Sequence, residues 1–183
     1  MESLRKKIRQ IINEINLNEF TDEEFQILDS QYSNKRIILS NENEIIFKPK
    51  DQKQEPTYKP SGLWYGFGAS WLDWVRSEMP EWEKDYSKIF VIEINEGSVL
   101  KMSTFEELLE FTNKYSPSKN IPIFKMNLID WSEVAKDYSG IEINPYIFRA
   151  RMNEKTNWYY TWDVASGCIW DRNAIKSITE LKV

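Results

Sequence analysis

The chain has 183 residues with 41% apolar content, enough for one domain with a substantial core and too much for a disordered chain. Its formal net charge of −5 argues against broad, phosphate-driven binding of nucleic acid. Histidine is absent and Cys168 is the single cysteine, which excludes Ser-His-Asp triads, Cys-His pairs, histidine-held metals, a four-thiolate zinc site and an intrachain disulfide.

Residues 2–17 place Leu4, Ile8, Ile11, Ile12 and Ile15 at helical spacing, and Thr21 with Glu24 forms a capping-box pattern for a second short helix through Leu28. The runs RIILS (36–40) and EIIF (44–47), either side of a polar NEN, predict a hairpin. KPKDQKQEPTYKP (48–60) reads as an exposed loop, either a lid or a solvated connector. SGLWYGF (61–67) predicts a strand, and Trp71, Leu72, Trp74 and Val75 then recur at helical spacing, which predicts a core-facing helix. IFVIEI (89–94) and SVLKM (98–102) predict strands around Gly97, TFEELLEFTNKY a capped helix, and IDWSEVAKDY a short one in which Trp131 anchors the start. GIEINPYIF (140–148) predicts a strand stopped near Pro145, WYYTWDV and GCIWD predict further strand pieces, and AIKSITEL closes the chain. The fold class expected is α+β, with a helical segment over 1–30 followed by a single α+β domain over 31–183.

Without histidine, an enzyme built on this chain must use Asp, Glu, Lys, Tyr, Ser or Cys, or position a reactive cofactor. Aromatics make up 14% of residues, including eight tryptophans, which exceeds core filling and points to surfaces that stack on a ligand or partner. No apolar run reaches the ~18–20 residues of a membrane span, and charges interrupt the apolar core a signal peptide needs. The expectation is a cytoplasmic protein without a membrane partner.

Asp163, between Trp162 and Val164, is either a buried site carboxylate or a strand-end acid capping nearby amides or pairing with a surface lysine. Glu142 alternates with Ile141 and Ile143, so period two turns it outward toward solvent, with a role as a second carboxylate as the competing reading. Ser166 and Gly167 offer a hydroxyl and an unhindered backbone, or simply a bend in an aromatic strand. Lys59, Gly62, Trp64 and Tyr65 combine a cation, a glycine and stacking rings, or lead a loop into a core strand. Cys168 reads as a buried, inert thiol. Arg149 and Arg151 could reach a phosphate or be solvated, and of Tyr159 and Tyr160 one should be buried and the other available.

The order of the pieces carries a resemblance. GLWYGFGASWLDWV, then IFVIEI with SVLKM, then YSGIEI (138–143) and CIWDRNAIKSI (168–178) resemble the elements of the ADP-ribosyltransferase-like fold, in its small bacterial and phage toxin-type branch, over residues 36–180. The resemblance implies a split β-sandwich that clamps NAD as substrate, stacks nicotinamide on aromatics and holds the ribose hydroxyls with a carboxylate. Members of the family mostly read Arg-Ser-Glu or His-Tyr-Glu. Here Arg36 matches the first position, Gly66 stands at the serine, and Ser166 stands where the catalytic glutamate is expected, leaving Asp163 and Glu142 as the nearest carboxylates. The resemblance therefore implies Asp163 and Ser166 at the reaction centre and Glu142 as second carboxylate. Trp64 and Tyr65 would stack on nicotinamide or adenine beside Gly62 and Trp162, with Lys59 or Arg36 on the pyrophosphate. The acceptor would be a protein or a nucleic acid. Two other classes fit the same residues: a non-catalytic, aromatic-lined module for a nucleotide or other ligand, and a protein-interaction domain of immunity or antitoxin type.

Overall fold

A computed structural model describes residues 20–47, 53–117 and 127–182, so the helix expected over 2–17 lies outside the described residues. The strands in chain order are β1 Arg36–Ser40, β2 Pro56–Thr57, β3 Leu63–Phe67, β4 Lys88–Ile94, β5 Val99–Met102, β6 Ile129–Asp130, β7 Gly140–Ile143, β8 Ser166–Ile169 and β9 Ile175–Leu181. Seven of them form one sheet in the order β5-β7-β8-β3-β1-β4-β9, and β2 pairs separately with β6. Every pair in the large sheet is antiparallel except β5 with β7. The fold is mixed α+β.

The sheet is curled. Val99, on one edge strand, packs in the same buried cluster as Ile94 and Ile175 from the opposite end of the sheet, together with Tyr65, Phe67 and Ile169. A 3-10 turn over Glu96–Ser98 carries the chain directly from β4 into β5. The concave face thus becomes a core in its own right.

Helices cover the convex face in two flanks. On one side α1 (Asp22–Ser30) and α2 (Ser70–Glu78) bury Leu28 and Leu72 against Ile37 and Ile89. On the other, α3 (Phe105–Tyr115), α4 (Trp131–Asp137) and the short α5 (Phe148–Arg151) cover Met102, Ile141, Ile143 and Cys168. Both capping boxes form: Thr21 with Glu24 on α1, and Thr104 with Glu107 on α3, each worth about 1 kcal/mol. Trp131, Trp158 and Phe111 form an aromatic knot with ring centres 5.7–5.8 Å apart. Its indoles are satisfied, Trp131 donating to the Thr57 carbonyl at 3.1 Å and Trp158 to the Thr112 hydroxyl at 2.8 Å.

Three expectations are corrected. Residues 44–47 form no strand: β1 pairs with β4 along its whole length and with β3 at Arg36 and Ile37, and Ile45 and Phe47 pack on the concave core instead. Of the loop expected over 48–60, residues 48–52 lie outside the described residues; Lys53, Glu55 and Lys59 are exposed, while β2 pairs with β6 and Pro60 is buried. Residues 157–161 form a 3-10 turn rather than a strand, since Trp158, Tyr159 and Trp162 all face the core, a spacing that alternation cannot satisfy. Tyr160 is left 49% exposed while Tyr159 is buried. Trp71 and Trp74 are half-buried and stack on each other at 4.9 Å instead of entering the core.

Candidate functional site

Two polar constellations occupy opposite faces of the sheet. The first lies on the concave face. Register places Tyr65 opposite Gly167, and Gly167 opposite Glu142, so these three positions form a row across β3, β8 and β7. The Tyr65 ring crosses Gly167 and its hydroxyl donates to Glu142 Oε2 at 2.9 Å. Arg36, on β1, donates through Nε to Oε2 at 2.5 Å and through Nη2 to Oε1 at 3.2 Å. The charges then alternate outward: Arg36 pairs with Glu96 at 3.1 Å, Glu96 bonds Lys101, and Lys101 lies 3.9 Å from Glu142.

This corrects the outward reading of Glu142, which is 6% exposed. Alternation is as expected, with Ile141 and Ile143 under the helices. However, the curl of the sheet covers the other face too, so the carboxylate needs partners rather than water. Burial opposes the Arg36 charge, but the bond and field of Glu142 outweigh it and raise the guanidinium pKa. Burial, reinforced by the negative charge of Glu142, pushes the Tyr65 phenol well above its usual value and keeps it a donor. Arg36 also lies 5.9 Å from the ring centres of Tyr65 and Phe67.

The second constellation is a cleft of about 320 Å³ on the convex face, between the two helical flanks. Its floor is the Gly66–Ser166 pair with Ile37 alongside. These small side chains on the central strands leave the depression. Trp71 and Tyr86 form one wall, with the Trp71 indole donating to the Tyr86 hydroxyl at 3.3 Å. Trp64 and Trp162, packed edge-on at 4.8 Å, form the other, and Lys59 and Asp163 stand at their rim. Lys59 Nζ lies 5.5 Å from the Trp64 ring centre and 3.8 Å from Asp163 Oδ2. Burial lowers the Lys59 pKa, with Asp163 partly offsetting it. The Ser166 hydroxyl donates to the Val164 carbonyl at 3.0 Å.

The residues singled out from sequence therefore divide. Arg36, Tyr65 and Glu142 meet on the concave face, whereas Lys59, Trp64, Trp162, Asp163 and Ser166 meet in the convex cleft. Ser166 pairs with Ile143, one position from Glu142, so the sheet itself separates the expected catalytic set Asp163, Ser166 and Glu142. Gly62 joins neither group: a Cβ there would lie 2.4 Å from the Ile169 carbonyl oxygen, so close strand packing accounts for it. Cys168 is fully buried and its thiol pKa is pushed up by burial. Arg149 and Arg151 lie over Phe105 and Tyr160, at 4.2 and 4.6 Å from the ring centres. Sequence reasoning missed Glu96, Lys101 and Tyr86, whose neighbours are distant in the chain. Among the described residues no three Asp, Glu or Cys side chains gather as a metal site, and no helix is long and apolar enough to cross a membrane. No family model, curated protein or solved structure matches this chain.

Proposed function

We propose that this protein is an ADP-ribosyltransferase-like enzyme that binds NAD and breaks its nicotinamide–ribose bond, with Arg36, Tyr65 and Glu142 as the reaction centre. One observation carries the reading: residues far apart in sequence, on three strands, share one buried hydrogen-bonded carboxylate. The trio reads Arg-Tyr-Glu, combining the first position of one family pattern with the last two of the other. The curled sheet is the element on which the split sandwich of that family would be built.

In this reading Glu142 exchanges its present partners for the ribose hydroxyls and stabilises the positive charge that develops at the anomeric carbon. Arg36 swings from the carboxylate to the pyrophosphate, and the Tyr65 ring supports the nicotinamide. The carbon–nitrogen bond breaks with its electron pair going to nicotinamide, which leaves neutral. Water then forms the new carbon–oxygen bond and releases a proton, giving ADP-ribose. A nucleophile on a protein or nucleic acid in place of water gives transfer. No histidine is needed, because the leaving group requires no protonation.

The test is calorimetry with NAD, followed by chromatography for released nicotinamide. NAD should bind and turn over, and Glu142→Gln should retain the fold while losing turnover by roughly a hundredfold or more, as expected when a charge acting in the transition state is removed. Absence of NAD binding at millimolar ligand overturns the proposal.

A further inference from the structure

We infer that the convex-face cleft is a separate binding site for an uncharged, planar heteroaromatic group of nucleobase type. Its volume of about 320 Å³ lies within the range of small-ligand pockets. Indoles from two parts of the chain, Trp64 and Trp71, present flat apolar surface there, the chemistry that stacks on a base, and the buried Trp162 backs Trp64.

Charge selects among the possible occupants. Aromatic walls with an acid would ordinarily suit an organic cation. Here the seat over Trp64 already holds the protein's own ammonium, Lys59, itself beside Asp163. A free anion is no better served, since the one lysine of the lining is offset by that carboxylate. An uncharged ring with donors and acceptors on its edge uses both groups at once. Asp163 accepts from an exocyclic amine, and Lys59 donates to a carbonyl or ring nitrogen.

The inference does not depend on the glycosidic chemistry proposed above, and the probes keep the two apart. NAD contains adenosine but none of guanosine, cytidine or uridine, so binding of any of those three, and any binding that the Lys59 and Asp163 variants weaken, reports on the cleft whether or not NAD is cleaved. The intact protein is titrated with each of the four nucleosides, and with tetramethylammonium, by tryptophan fluorescence and calorimetry. At least one nucleoside should bind saturably. Lys59→Met and Asp163→Asn should each weaken it by roughly tenfold, the loss of one hydrogen bond to a charged group. Lys114→Met, removing an exposed cation on α3, should leave it unchanged. Thermal melting of each variant checks that the fold is intact, and Lys59, half-exposed at 42%, can be replaced without opening the core. Failure of every nucleoside to bind at millimolar concentration overturns the inference. So does binding that is undiminished in both variants, or binding of tetramethylammonium in place of nucleosides.

Discussion

The Tyr65 hydroxyl reaches Glu142 across Gly167, and a Cβ at position 167 would fall 2.3 Å from both Cζ and Oη of that tyrosine. The glycine is therefore required by the tyrosine ring that crosses it, not by its own backbone conformation. Gly167→Ala should force the ring off Glu142 and destabilise the protein by about 1–3 kcal/mol, the usual cost of overpacking a core. In a Tyr65→Leu background, which removes the ring tip, the same change should cost much less. Urea denaturation of the four proteins measures this. Additive effects would mean that Gly167 is set by something other than the ring.

The Arg36–Glu142 pair is predicted to behave as a buried ion pair rather than a surface one. Arg36→Met leaves Glu142 buried with only Lys101, at 3.9 Å, to offset its charge, and should cost roughly 3 kcal/mol. Replacing both partners, Arg36→Met with Glu142→Leu, should recover most of that loss, because the uncompensated charge disappears. Equilibrium unfolding reads both values. A double variant as unstable as the sum of its singles would show that the two side chains act independently and would contradict the pairing.

Much of the architecture was legible along the chain, and the reasons for the rest are specific. The strands at 89–94 and 140–143 and the helix at 105–115 follow local periodicity and capping, which act over neighbouring residues. The turn at 157–161 escaped because Trp158, Tyr159 and Trp162 are buried at one- and three-residue steps in a short segment, a pattern that a string of aromatics disguises as a strand. The alternating orientation of Glu142 was readable, but the cover over it was not, since the curl that brings Val99 beside Ile175 is a property of the whole sheet. The cleft depends likewise on Gly66 pairing with Ser166, a register that no local signal announces.

Alkaline pH should single out Tyr65. Its pKa in the folded protein is raised well above 10.0 by burial first and by Glu142 second, while in the unfolded chain it titrates normally. The folded state therefore binds more protons than the unfolded state above about pH 10, and stability falls as pH rises. The contribution is fully present below that value and is lost on the way to the folded pKa. Tyr65→Phe removes the titrating group, so the difference in stability between wild type and variant should shrink between neutral pH and about pH 11. Urea midpoints across that range test the sign, and a difference that grows with pH would contradict the assignment.

Cys168 provides a probe of the same sheet. It is fully buried on β8 with its thiol pKa raised by burial, and its sulfur lies 3.9 Å from the carbonyl oxygen of Pro60, which it contacts as a weak donor. A thiol held protonated and away from solvent reacts slowly, because the thiolate is the nucleophile. Native protein should resist a disulfide exchange reagent, and protein in denaturant should react completely with one equivalent. The convex cleft is lined by Trp64, the residue paired with Cys168 across β3 and β8, so labelling also reports whether this ladder opens locally. If labelling tracks global unfolding, its rate should fall with every stabilising change elsewhere in the sheet. Rapid labelling of the native protein, unaffected by such changes, would reveal local opening beneath the cleft and remove the rigid floor on which the proposed ligand site depends.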